Sequence, residues 1–157
     1  MRFLADGMLG NITRWLRLLG YDVKYEKLRN DNELLNESRM ENRILLTADV
    51  ELFRLARRRG LEAVLVKEHS TVEGLSRLSR KLNLQLTVNH ERSRCPTCGS
   101  PIMRVEKRLV EGKVPDGTYD RYRRFWMCTS ASCSKIYWRG SHWKKIKQTL
   151  EKAKKMK

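Results

Sequence analysis

Residues 2–10 read RFLADGMLG, and the fold turns on how that stretch is read. An apolar run without polar alternation is a strand buried on both faces, as in a parallel sheet. One aspartate and two glycines follow. Beyond them Ile12, Trp15, Leu16 and Leu19 recur at helical spacing until Gly20 stops the helix, with Arg14 and Arg17 off the apolar face and Trp15 read as core. Asp6 stands at the junction, either as a helix cap or as the first ligand of a metal site. The glycines read as a sharp turn that lets a substrate backbone approach the carboxylate.

Working outward, YDVKY is a second strand, and NDNELLNESRMEN is a helix opened by an Asn30 and Glu33 pair at capping-box spacing. RILLT is a third strand, DVELFRLARRRG a helix closed by Gly60, and LEAVLV a fourth strand. STVEGLSRLSRKLNL is a helix capped by Ser70 or Thr71, and LQLTV is expected to add a fifth strand. Alternating strands and helices with short connections predict an α/β fold: a parallel sheet with helices on both faces.

In such a sheet the residues that leave the strands converge at the carboxyl edge. Asp6, then Asp31 with Glu33, then Asp49 with Glu51 fall there. Glu33 is spoken for by the capping box. Thr47 is expected to cap the helix that contains Asp49 and so to leave the Asp49 carboxylate free. Carboxylates gathered this way repel one another unless a cation holds them, and hard oxygen ligands suit Mg²⁺ or Mn²⁺. That chemistry serves phosphodiester hydrolysis.

The charge points to the same partner. The chain carries 34 Lys+Arg against 18 Asp+Glu, a net charge of +16, which calls for a polyanion. Residues 1–89 hold 16 basic and 12 acidic side chains, whereas residues 90–157 hold 18 and 6. The strand and helix alternation also ends near Val88, so the division falls at residues 89–94, between a 1–89 unit and a 90–157 unit. No stretch approaches the roughly 18 apolar residues of a membrane span, and no secretory leader is recognisable, so a soluble, cytoplasmic chain is expected.

In a reducing compartment, cysteines in two close pairs are metal ligands rather than disulfides. Cys95 and Cys98 form C-x₂-C, and Cys128 and Cys133 form C-x₄-C after 29 intervening residues. Four thiolates suit one tetrahedral structural Zn²⁺, with nearby aromatics building a small zinc-ribbon sheet. Downstream, Arg139, His142, Trp143, Lys144 and Lys145 mix cationic with aromatic side chains, a surface for phosphates and unpaired bases. The lysine-rich tail is expected to be a basic helix with a frayed end.

FLADGMLGNITRWLRLLGYD, DNELL, RILLTADVELFRLARRRG, CPTCG and the FWMC to YWRGSHW region together resemble the PIN-like RNase domain named after the C-terminus of the Mut-seven exonuclease. The resemblance covers nearly the whole chain. It implies a PIN-like nuclease followed by a zinc ribbon, acting on RNA (ribosomal and transfer RNA among the candidates) with Mg²⁺ or Mn²⁺. Asp6 and Asp49 are its implied metal-binding acids, Asp31 the middle acid, and Glu51 the candidate for a fourth. Two departures stand out: C-x₄-C replaces the usual C-x₂-C, and Ala48 stands where a basic or polar residue is expected. The expected function is a metal-dependent endoribonuclease, with a non-catalytic RNA-binding factor as the alternative.

Overall fold

A computed structural model describes residues 1–156; Lys157, at the end of the basic tail, lies outside the described residues. Strand β1 (Arg2–Ala5) leads to helix α1 (Gly10–Leu18), and β2 (Asp22–Tyr25) to α2 (Asp31–Met40). Then β3 (Ile44–Thr47) leads to α3 (Val50–Arg58), and β4 (Ala63–Leu65) to α4 (Thr71–Leu82). The four strands form one parallel sheet in the order β2-β1-β3-β4.

Side chains alternate across this sheet. Phe3, Ala5, Ile44 and Leu46 enter a core with Ile12, Leu16, Leu75 and Leu78 of α1 and α4. Leu4 and Leu45 point the other way, onto Leu34, Leu35, Leu52 and Ala56 of α2 and α3. Helices therefore cover both faces, which explains why every residue of β3 is buried. Arg43, its side chain 3% exposed, ties the amino edge by donating to the Phe3 carbonyl at 3.1 Å and pairing with Asp22 at 3.1 Å and Glu41 at 2.7 Å.

The expected fifth strand is absent. Leu84 and Leu86 are buried in the first core, so the period-two pattern is real, but the Gln85 N–H donates to the Tyr21 hydroxyl at 2.8 Å. At that position a side chain stands in for a neighbouring strand.

Residues beyond 101 form β5 (Ile102–Val105), a 3₁₀ turn (Lys107–Val110), α5 (Asp116–Arg121), β6 (Phe125–Cys128), β7 (Ile136–Tyr137) and α6 (His142–Lys155). Strands β5, β6 and β7 make an antiparallel sheet over a small core of Val110, Val114 and Phe125, with Val105, Tyr119, Tyr122, Ile136 and Trp138 partly buried against it. Helix α6 packs along α4 and sends Leu150 and Ala153 into the core of the parallel sheet. No described helix is long and apolar enough to cross a membrane.

Candidate functional site

The strand order fixes where a site can form. From β1 the chain crosses to β2 on one side, and from β3 it crosses to β4 on the other, so the connections part between β1 and β3. Open parallel sheets bind ligands in the crevice at such a switch point, outside the carboxyl ends of the strands. Asp6 and Asp49 leave those two strands.

Asp6 is 6% exposed. Its Oδ1 accepts the Met8 N–H at 2.9 Å, and its Oδ2 accepts the Thr47 hydroxyl and the Ala48 N–H, the latter at 3.2 Å. It does not cap α1, which has no side-chain cap. Three of the about four lone-pair positions of a carboxylate are used, leaving one. No ion pair reaches Asp6 among the described residues. A buried carboxylate without a cation partner is costly, and in folded proteins such charges are paired or bind metal.

Thr47 is fully buried and bridges: its hydroxyl donates to Asp6 and accepts the Asp49 N–H at 2.9 Å. The cap of α3 is Asp49 itself, whose Oδ1 accepts the N–H groups of Glu51 at 2.7 Å and Leu52 at 3.0 Å. Thr47 therefore does not free Asp49 from capping. Fully buried and already bonded to Asp6, Thr47 is held away from the helix amides. Asp49 is exposed, and its second oxygen has no hydrogen-bond partner among the described residues.

The other acids are less engaged with the crevice. Asp31, exposed, is the first residue of α2, behind the Asn30 and Glu33 capping box that the sequence predicts. Glu51 is exposed and pairs with Arg54 at 2.7 Å. Among the described residues no three acids bring ligand oxygens within 4.8 Å of one another. Two carboxylates suffice for Mg²⁺, which keeps several of its waters.

The glycines of the opening turn serve packing rather than substrate access. A Cβ on Gly7 would lie 2.8 Å from the Lys27 carbonyl oxygen, and one on Gly10 2.7 Å from the Tyr25 hydroxyl. The chain itself fills the space that they leave.

A second centre does assemble at ligand distance. The sulfurs of Cys95, Cys98, Cys128 and Cys133 all lie within 4.8 Å, with Cys95 to Cys133 at 3.7 Å and Cys98 to Cys128 at 3.4 Å. Sulfurs about 2.3 Å from a tetrahedral zinc are about 3.8 Å apart, so the cluster can bind zinc, whereas a disulfide needs about 2.05 Å. The longer C-x₄-C loop closes with Ser134 at φ 47° and still presents both sulfurs. The Tyr137 hydroxyl lies 3.0 Å from Cys95 Sγ. Burial pushes the Cys98 thiol up, but hydrogen bonds from Ser100 and from Cys128 and Cys95 outweigh it and bring it down to about 6.

Arg17, expected to meet RNA, is 5% exposed and turns its guanidinium onto the protein itself. Its Nε and Nη2 donate to the Val23 carbonyl at 3.0 and 2.9 Å, and its Nη1 donates to Pro96 at 3.3 Å and Thr97 at 2.9 Å. It pins the first cysteine turn to β2. Gly99, at φ +84°, makes room, since a Cβ there would lie 2.9 Å from Arg17 Nε. Arg14 remains exposed on α1.

At the start of α6, Arg139, exposed, donates to His90 Nε2 at 2.6 Å and lies over the Trp143 ring at 5.1 Å. His90 meets Trp126 and Trp143 edge-on, at 4.4 and 4.7 Å. His142, Lys144 and Lys145 are exposed beside them. His90 escaped the sequence reading because tertiary packing brings it here and no local spacing marks it; Trp126 and Thr47 were visible, but in other roles, Trp126 as an aromatic of the small sheet.

The family model for the Mut7-C RNAse domain matches residues 1–150. The chain belongs to the Mut7-C RNAse domain family. Searches of curated proteins and of solved structures give no match. Membership in the Mut7-C RNAse domain family points to a ribonuclease-type function with RNA as substrate or partner.

Burial, then the Arg139 charge, lowers His90 to about 4 from 6.5. The unfolded chain takes up this proton near 6.5 and the folded chain only near 4, so the stabilisation is present above that window and lost as pH falls through it. Protonated His90 also no longer accepts from Arg139. We expect tryptophan emission of the folded chain to change in a step centred near pH 4 with this proton uptake, and the step to be missing in His90→Gln.

Proposed function

We propose that this chain is a metal-dependent endoribonuclease of PIN-like design, with the three-stranded C-terminal sheet acting as a zinc ribbon. The observation that carries the reading is Asp6, a nearly buried carboxylate without an ion-pair partner among the described residues, at the switch point of the parallel sheet and one Thr47 bridge from Asp49. Asp6 and Asp49 would hold Mg²⁺ or Mn²⁺, with Asp31 and Glu51, at the starts of α2 and α3, completing the acid set through coordinated water. Such an ion, when bound, supplies an activated water and offsets charge on the phosphoryl oxygens.

The protein's own side chains do the remaining work. Thr47 fixes the Asp6 carboxylate by donating to Oδ2, and Asp49 stays oriented because one of its oxygens is committed to α3. Arg14, Arg139, His142, Trp143, Lys144 and Lys145 grip the RNA backbone and its exposed bases. The test is cleavage of unstructured and folded RNA by the zinc-loaded chain, with and without added Mn²⁺. Internal cuts that need the added Mn²⁺ are expected, and cutting at the same rate without it overturns the metal role.

One observation favours a non-catalytic RNA-binding reading: no three acids converge at ligand distance among the described residues. On that reading the chain binds RNA with strong salt dependence and cuts none with any divalent metal.

A further inference from the structure

A cleft of about 780 Å³ opens between the antiparallel sheet, α5 and the start of α6. It is separate from the acidic crevice. Leu18, at the end of α1, and the Cys95 turn border it, and the side chain of Ser93 donates to the Leu18 carbonyl at 2.7 Å. Because α1 runs back from the carboxyl edge, its end lies toward the opposite, amino edge of the sheet.

The lining is unusual. Three of the chain's four tryptophans, Trp126, Trp138 and Trp143, contribute to it, together with Tyr122 and His90. The rings are held in place: Trp126 and Trp143 meet His90 edge-on, and Phe125, buried behind the sheet, packs at 6.4 Å from Trp138. Arg94 and Arg121 supply positive charge, and among the described residues no acidic side chain lines the cleft. Its volume lies within the range of small-molecule pockets, roughly 300–1,000 Å³.

Fixed aromatic rings, cations at the margin and no carboxylate suit a flat, electron-rich ring joined to phosphate. We propose that this cleft binds an unpaired base of a single-stranded RNA, with Arg121 and the neighbouring Lys144 and Lys145 meeting the flanking phosphates. The occupant is part of a strand rather than a free nucleotide because the exposed cations continue beyond the cleft along α6, through Lys144, Lys145 and Lys147. A duplex is disfavoured, since its bases are stacked on each other and cannot enter. The identification of the polymer as RNA rests on the ribonuclease reading; the stacking site does not depend on cleavage.

The test is a tryptophan-fluorescence titration of the full, zinc-loaded chain in the absence of Mg²⁺ and Mn²⁺. An unstructured oligoribonucleotide is expected to quench the emission. The same strand made abasic, or paired into a duplex, is expected to bind about tenfold more weakly. Trp143→Ala loses about tenfold in affinity while Trp143→Phe keeps most of it, and Arg121→Gln weakens binding with a shallower salt dependence. Equal binding by the abasic strand, equal binding by Trp143→Ala and Arg121→Gln, or equal quenching by AMP at matched nucleotide concentration overturns the proposal. Base-dependent binding in this titration with no cleavage after Mn²⁺ is added would sink the nuclease reading and leave the cleft standing; Mn²⁺-dependent cleavage with base-independent binding would do the reverse.

Discussion

Asp6→Asn is expected to lower metal-dependent RNA cleavage about a thousandfold, the rate equivalent of several kcal/mol of charge stabilisation at 1.4 kcal/mol per decade. The side chain keeps its shape, so the fold should survive. An amide offers one acceptor oxygen where Asp6 offers two, so either the Met8 N–H or the Ala48 N–H loses its acceptor. That costs about 1–3 kcal/mol of stability, readable in a thermal melt. Asp49→Asn should cost activity with less stability, because an amide oxygen can still cap α3. Mn²⁺ affinity separates ligation from packing: it falls in both variants if the two acids hold the ion. Cleavage by Asp6→Asn at the parental rate would show that Asp6 is a structural acceptor only.

The second large effect concerns zinc. Chelation, or Cys98→Ser, is expected to unfold the β5 to β7 sheet, because its own core is small: Val110, Val114 and Phe125 are buried, and the residues packed against them are only partly so. So small a core does not stand alone, and the binding energy of a structural zinc is then folding energy. The loss should spread. Arg17 would lose its Pro96 and Thr97 acceptors, and the ring stack of His90, Trp126 and Trp143 would come apart. A loss of several kcal/mol corresponds to a melting temperature lower by about 10 °C or more in a chain of this size. Tryptophan emission should shift in parallel, since three of the four tryptophans line the affected cleft. An unchanged melt and unchanged emission after complete metal removal would argue against a structural metal. Re-addition of Zn²⁺ should restore both signals.

The contrast between Arg14 and Arg17 shows the limit of local reading. Both fall off the apolar face of α1 by spacing, yet one is exposed and the other is buried against a turn nearly 80 residues away. Helical periodicity reports which face meets the sheet, and it carries no information about a second module docking on the flank. Thr47 shows the same limit: a threonine before a helix is a good cap by type, but its buried hydroxyl is already committed to Asp6.

What the sequence determined by itself was whatever depends on neighbours in the chain. Apolar runs and helical spacing mark the four strands and their helices, the Asn30 and Glu33 pair marks its capping box, and two close cysteine pairs mark a four-sulfur cluster that can bind zinc. Only the tertiary structure decided which chain ends meet. The order β2-β1-β3-β4 sets Asp6 beside the Thr47 to Asp49 turn while leaving Asp31 exposed at the start of α2, a result of hydrogen-bonded strand pairing that no local pattern encodes. In the same way Arg139 and Trp143 find His90 and Trp126 only because α6 packs against α4 and carries them there. Contacts between residues distant in the chain follow from the burial of whole faces, and a face is visible only once the elements are assembled.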